Sequence, residues 1–172
     1  YLLDWLATEF TRSKWSIKTI HRLIMTSATY RQSSATNPRL KKLDPENKFL
    51  SRMTLQRLDA EALRDSLIFV AGQLNEKHRG GKPDGINARK DGLITVPRGP
   101  NGWRRSVYVL QRRTQIPTLL TTFDLPRMEP NCVKRPESTV APQALHLLND
   151  ATVNQLAGYF AKRLIKESKN TS

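Results

Sequence analysis

The sequence predicts a mainly α fold: a single helical domain over residues 1–172, with one small β-hairpin and a long Gly/Pro-rich loop. Three observations carry this expectation. Apolar residues recur at helical spacing in several separate segments, and β-branched runs stand out only at residues 93–96 and 106–110. Six of the eight glycines and three prolines fall within residues 75–102. A chain of 172 residues with 38% hydrophobic content has enough apolar material for one core and is sparse for two.

In order along the chain, Leu3, Leu6, Ala7 and Phe10 form an i, i+3, i+4, i+7 stripe, which predicts a helix over residues 2–11. Ser16 has the chemistry of an N-cap, and Trp15 before it is placed to staple against Ile20. The second helix is expected to run to about Tyr30, with Ile17, Ile20, Leu23, Ile24 and Ala28 on its apolar face and His21 beside them as a core histidine. Residues 32–43 lack a period and carry Ser, Asn and Pro, so they are expected to form a loop. Asp44-Pro45 reads as a helix start that continues through Phe49, Leu50 and Met53.

Asp59 opens a further helix, with Ala60, Leu63, Leu67, Val70 and Ala71 toward the core and Gly72 as its stop. Arg64 and Asp65 ride on it as surface charge, the alternative being that they turn inward to support a site. The Gly/Pro-rich residues 75–102 are expected to be a flexible insertion loop. Its Gly80-Gly81-Lys82 is no phosphate loop, because Pro83 replaces the magnesium-binding hydroxyl and no strand precedes it. Residues 93–96 and 106–110 should pair as the hairpin, and strand alternation would separate Arg105 from Tyr108. A short helix over residues 117–123, a Pro-rich loop over 124–138, a helix opened by Pro142 and a last helix capped by Asp150 complete the order. The final helix carries Val153, Leu156, Ala157, Phe160 and Leu164 on one stripe, and the tail beyond it should fray.

Charge and cysteine usage narrow the function classes. The formal net charge of +14 favours polyanionic partners, and residues 77–135 hold 13 basic against 4 acidic side chains. Cys132 is alone, so no internal disulfide forms, and His21, His78 and His146 lack a second metal ligand at helical spacing. No metal is expected. No apolar run approaches the 18 or so residues of a membrane span. The chain opens at Tyr1, partway into an amphipathic pattern, which is the expectation for a piece of a longer protein.

The candidate site is the stretch 103–150. Arg105, Tyr108, Arg112, Arg113, Arg135 and Gln143 are the ligand-binding candidates, since a guanidinium grips a carboxylate, sulfate or phosphate through parallel hydrogen bonds. Asp124 could serve as a base. Cys132, near Lys134 and Arg135, could serve as a thiolate nucleophile.

The segments LLDWLATEF, WSIKTIHRLIMTSATYRQSS, DPENKFL, RLDAEALRDSL, RRSVYVLQRR, FDLP and TVAPQALHLLND, in this order and with Cys132 and Arg135, carry a family resemblance. The chain is similar to the C-terminal domain of unknown function in planctomycete proteins that also carry a planctomycete-type cytochrome c domain. That resemblance implies an extracytoplasmic setting and, as partners, the other domains of the same polypeptide. It places haem in a separate cytochrome c domain, and no cofactor is expected in this chain.

Three function classes follow. The first is a non-catalytic binding or assembly module with an Arg-rich anion site for an acidic or sulfated polysaccharide. The second is a hydrolase-like enzyme using Asp124 or Cys132 with Arg105, Arg112 and Arg135. The third is a nucleic-acid-binding module, disfavoured because aromatic residues are not interleaved with the basic ones.

Overall fold

A computed structural model describes residues 1–35, 37–77, 80–126, 135 and 137–169. The chain divides into two compact units, Tyr1–Gln56 and Arg57–Ser172. The described elements are seven α-helices, one 3₁₀ turn and a two-stranded sheet, a mainly α architecture as the periodicity predicts.

In the first unit, α1 (Leu2–Arg12) and α2 (Ile17–Thr26) form where the apolar stripes lie. Ser16 caps α2, its hydroxyl accepting from the Thr19 amide at 3.3 Å. Trp15, the residue before the cap, meets the preceding helix. It adopts φ +61° and its ring meets Phe10 edge to face, with centroids 5.2 Å apart, so the turn folds back on α1. Helix α2 stops short of the expected Tyr30. Thr26 and Ser27 hydroxyls donate to the Arg22 and Ile24 carbonyls, a local alternative that ends the helix in an extended Ser27.

The expected loop before Asp44 contains α3 (Pro38–Leu43), started by Asn37, whose side chain accepts from the Arg39 amide at 2.9 Å, and by Pro38 at the first position. Asp44-Pro45, conversely, starts no helix. The Asp44 carboxylate accepts from the Lys48 and Phe49 amides, both at 2.8 Å, and so organises a loop. Asp44 is the one buried residue described in this unit.

The second unit begins with α4 (Ala60–Val70). Gly72, at φ +68°, ends it as expected. Of its expected core face, Ala60 and Ala71 are buried and Leu63 and Leu67 pack against the core, but Val70 is exposed, and Arg64 and Ile68 are buried as well. The β-hairpin also differs. β1 (Asn87–Ala88) pairs antiparallel with β2 (Ile94–Thr95), so both strands lie inside the Gly/Pro-rich segment.

Residues 106–108 instead form a 3₁₀ turn, because Ser106 is drawn onto α4 by Asp65 and cannot continue a ladder. Gly102 allows the chain to return there. It sits at φ +98°, and a Cβ would meet the Gln73 carbonyl at 2.9 Å.

Helices α5 (Thr118–Thr122), α6 (Ala141–Asn149) and α7 (Ala151–Lys169) follow in the expected order. Asp150 caps α7, its side chain accepting from the Val153 amide at 2.9 Å. Helix continues through Lys169, so residues 166–169 are ordered helix where fraying was expected. Two apolar clusters hold the unit. Ile68, Ala71, Trp103 and Leu156 form one; Ala60, Leu120 and Phe123 form the other. Of the expected α7 stripe only Leu156 is buried, while Ala157, Phe160 and Leu164 are exposed.

Candidate functional site

Three guanidinium-centred polar clusters organise the second unit. The first is at Arg104, the neighbour of the predicted Arg105. Its Nε donates to Asp84 Oδ1 at 2.9 Å, Nη1 to the Gly80 carbonyl at 2.7 Å and Nη2 to the Lys82 carbonyl at 2.6 Å. The guanidinium also lies 5.1 Å from the Tyr108 ring centroid. Each of its three nitrogens donates to the Gly/Pro-rich segment.

The second cluster sits under α4. Arg64, only 6% exposed, donates from Nη1 to the Arg104 carbonyl at 3.1 Å and to Ser106 Oγ at 3.2 Å. Asp65 Oδ1 accepts from the Ser106 amide at 2.8 Å and hydroxyl at 2.7 Å. Arg64 and Asp65 therefore turn inward, contrary to the surface-charge expectation. Burial pushes the Arg64 guanidinium below its ordinary pKa, opposed by the Asp65 and Asp84 carboxylates. Its Nη2 is buried and makes no hydrogen bond among the described residues.

The third cluster contains two predicted residues, Asp124 and Gln143, joined through two that sequence reasoning missed, Arg57 and Ser138. Arg57 Nη2 donates to Asp124 Oδ2 at 2.6 Å, and Nη1 donates to the Ser138 carbonyl. The Ser138 amide donates to Asp124 Oδ2 at 2.7 Å and its hydroxyl to Oδ1 at 3.0 Å. Gln143 Nε2 donates to the Thr122 carbonyl at 3.1 Å and to Ser138 Oγ at 3.2 Å. Asp124 holds φ +63°, a strained conformation for a residue with a Cβ, kept by this web of bonds.

The other predicted residues do not join that cluster. Arg105 pairs with Glu76 at 2.8 Å, and Arg135 grips Glu61 through two bonds of 2.7 and 3.1 Å. Arg112 contacts Gln115 at 3.5 Å, while Arg113 is exposed and has no ion pair among the described residues. Arg105 and Tyr108 do share one groove of 320 Å³ with Asn75 and Glu76, since the 3₁₀ turn replaces strand alternation. Cys132 and His78 lie outside the described residues.

This geometry accompanies a match to one family model along residues 1–172. The chain belongs to PSD1, a protein family of unknown function (DUF1553). No curated protein and no solved structure matches it.

The chemistry open to this PSD1 chain follows from how its polar groups are engaged. The Arg57 hydrogen bond holds the Asp124 carboxyl below its usual range, aided by the Ser138 amide and hydroxyl against partial burial. A carboxylate so stabilised is a weak proton acceptor near neutrality. Burial would raise the Glu61 pKa, but the Arg135 bond and a backbone bond outweigh it and lower the net value. Ser106 is buried against Asp65, and no hydrogen bond joins a histidine to Ser106 or Ser138 among the described residues. His146 Nε2 is itself buried, 3.8 Å from Asp150 Oδ2. No group of three His, Cys, Asp or Glu is placed to hold a metal ion among the described residues, and no described helix is long and apolar enough to cross a membrane.

The missed residues left weak traces. Arg57 precedes the Asp59 helix start without any motif, and Ser138 sits in a Pro-rich loop that advertises only irregularity. Only pairing across 67 positions gives Arg57 its meaning.

Proposed function

We propose that this chain is a non-catalytic binding and assembly module whose first unit docks against other domains of the same polypeptide. The observation that carries the reading is that α1 and α2, both strongly amphipathic, contain no buried residue. Trp5, Trp15, Ile17 and Met25 are each at least half exposed, and Leu23 and Ile24 more than a third. Apolar surface of this kind marks an interaction face. The extracytoplasmic, planctomycete and cytochrome-c-linked setting belongs to the proposal through the resemblance of the ordered segments.

Cross-linking from Lys14 and Lys18 in the intact polypeptide tests it. Links to residues outside 1–172 are expected; links confined within 1–172 would remove the docking reading.

The proposed ligand is an acidic or sulfated polysaccharide, engaged by the regional basic field. Arg105, Arg112 and Arg135 each face a separate protein partner, which favours distributed contacts over one converged pocket. Retention on a sulfated-glycan column is expected to fall steeply with added sodium chloride. Salt-insensitive passage through the column would eliminate the polyanion component.

A further inference from the structure

The second unit contains a cavity of about 40 Å³ between α4, β2, α5 and the start of α7. Ile68, Trp103, Val153 and Leu156 supply apolar walls; Arg64, Thr152 and Asp150 supply polar ones. Arg64 has one terminal nitrogen committed to Ser106 Oγ, the Arg104 carbonyl and, at 3.5 Å, Asp65, while Nη2 is buried without a hydrogen-bond partner among the described residues. A buried guanidinium nitrogen left unpaired carries a desolvation cost, so an acceptor beside it is favoured.

The second donor set belongs to α7, a helix of 19 residues. Its first N–H groups have no intrahelical acceptors. Asp150 takes the Val153 amide with its side chain and the Asn154 amide with its carbonyl. The Ala151 and Thr152 amides have no hydrogen-bond acceptor among the described residues. The cavity lining thus brings Thr152 of the α7 first turn and its capping Asp150 together with Arg64, whose Nη1 pairs with Asp65 at 3.5 Å and whose Nη2 alone has no hydrogen-bond partner among the described residues, leaving donors for one more acceptor.

We propose that this cavity binds a small monovalent carboxylate of formate or acetate size. Its oxygens accept from Arg64 Nη2 and the first turn of α7, and an acetate methyl meets Ile68, Trp103 and Leu156. At roughly 10–15 Å³ per water-sized probe, the volume admits about three or four heavy atoms. The Asp150 carboxylate on the same lining sets the charge limit, since a divalent anion beside it meets stronger repulsion. The cavity guanidinium is distinct from the exposed arginines of the proposed polysaccharide surface, and neither idea rests on the other.

NMR titration of the 172-residue chain with sodium formate and sodium acetate tests the site, with sodium chloride and sodium sulfate at matched ionic strength as controls. The expected result is saturable shifts of the Thr152 and Val153 amides and the Trp103 indole N–H, given by the carboxylates and by neither control. Arg64→Met should weaken the affinity at least tenfold. Non-saturating shifts, equal responses to chloride, or saturable shifts elsewhere would overturn the proposal and leave the cavity to ordered water. If Arg64→Met does not fold, benzoate decides with the native chain: it is too large for the cavity, so shifts matching those of acetate at these three groups would overturn the site.

Discussion

Residues Tyr1–Gln56 and Arg57–Ser172 both carry amphipathic helices, yet they are held together by different means. The first unit relies on near-neighbour bonds, such as the Ser16 cap and the Asp44 carboxylate over the Lys48 and Phe49 amides. The second joins residues far apart in the chain, with Arg57 on Asp124, Arg64 on Ser106 and two buried apolar clusters. Helices of 10 or 11 residues are marginal without tertiary burial. The contrast teaches that strong amphipathicity specifies a face without specifying what covers it.

The sharpest test of this contrast is a pair of leucine truncations. Leu120, fully buried, should lose about 2–5 kcal/mol of stability on Leu120→Ala. Leu43→Ala, at an exposed position, should stay within about 0.5 kcal/mol. Urea denaturation followed by circular dichroism measures both, and equal costs would erase the distinction between the units.

The next effect belongs to the Arg57–Asp124–Ser138 cluster. Asp124→Asn should cost about 1–3 kcal/mol by leaving charged and polar donors imperfectly paired. Its sign with pH is defined. The folded carboxyl is more acidic than the unfolded one, whose pKa is about 3.9, so its contribution is present above that value and fades as pH falls through the lower folded pKa. The difference between native and variant should therefore narrow in acid. A gap that widens below about pH 4 would contradict the stabilised carboxylate.

Smaller changes probe the local unit. Ser16→Ala should lower stability by about 1 kcal/mol and reduce helical signal, provided that its cap carries as much weight as local bonding implies. Arg12→Ala, which breaks an exposed pair with Glu9, should change stability by no more than about 0.5 kcal/mol, with salt reducing the effect. A larger loss would show that surface pairs, and not caps, hold α1 and α2.

Much of the helix order was legible because caps and stripes are local signals: Ser16, Gly72, Pro142 and Asp150 each marked an end or a start. Two of the errors have equally local causes. Asn37-Pro38 was a helix start hidden in a polar segment, and Asp44-Pro45 resembled one while its carboxylate was turned to a loop. The β-branched residues 106–110 have strand propensity, but the Asp65 contact, which is not local in sequence, bends Ser106 onto α4. Asp124 and Gln143 are both candidates from the sequence, and both contact Ser138. Their links through Arg57 and Ser138 were not legible, since no spacing rule connects residues 57, 124, 138 and 143.

By itself the sequence determined the mainly α class, most helix starts and the basic excess, because periodicity, capping and formal charge belong to short stretches of chain. Tertiary structure decided which charged residues were enclosed. Arg64, Arg104, Asp124 and Gln143 acquired their roles only when carbonyls and carboxylates from distant segments met them, since desolvation makes a charge choose its partners by proximity in space.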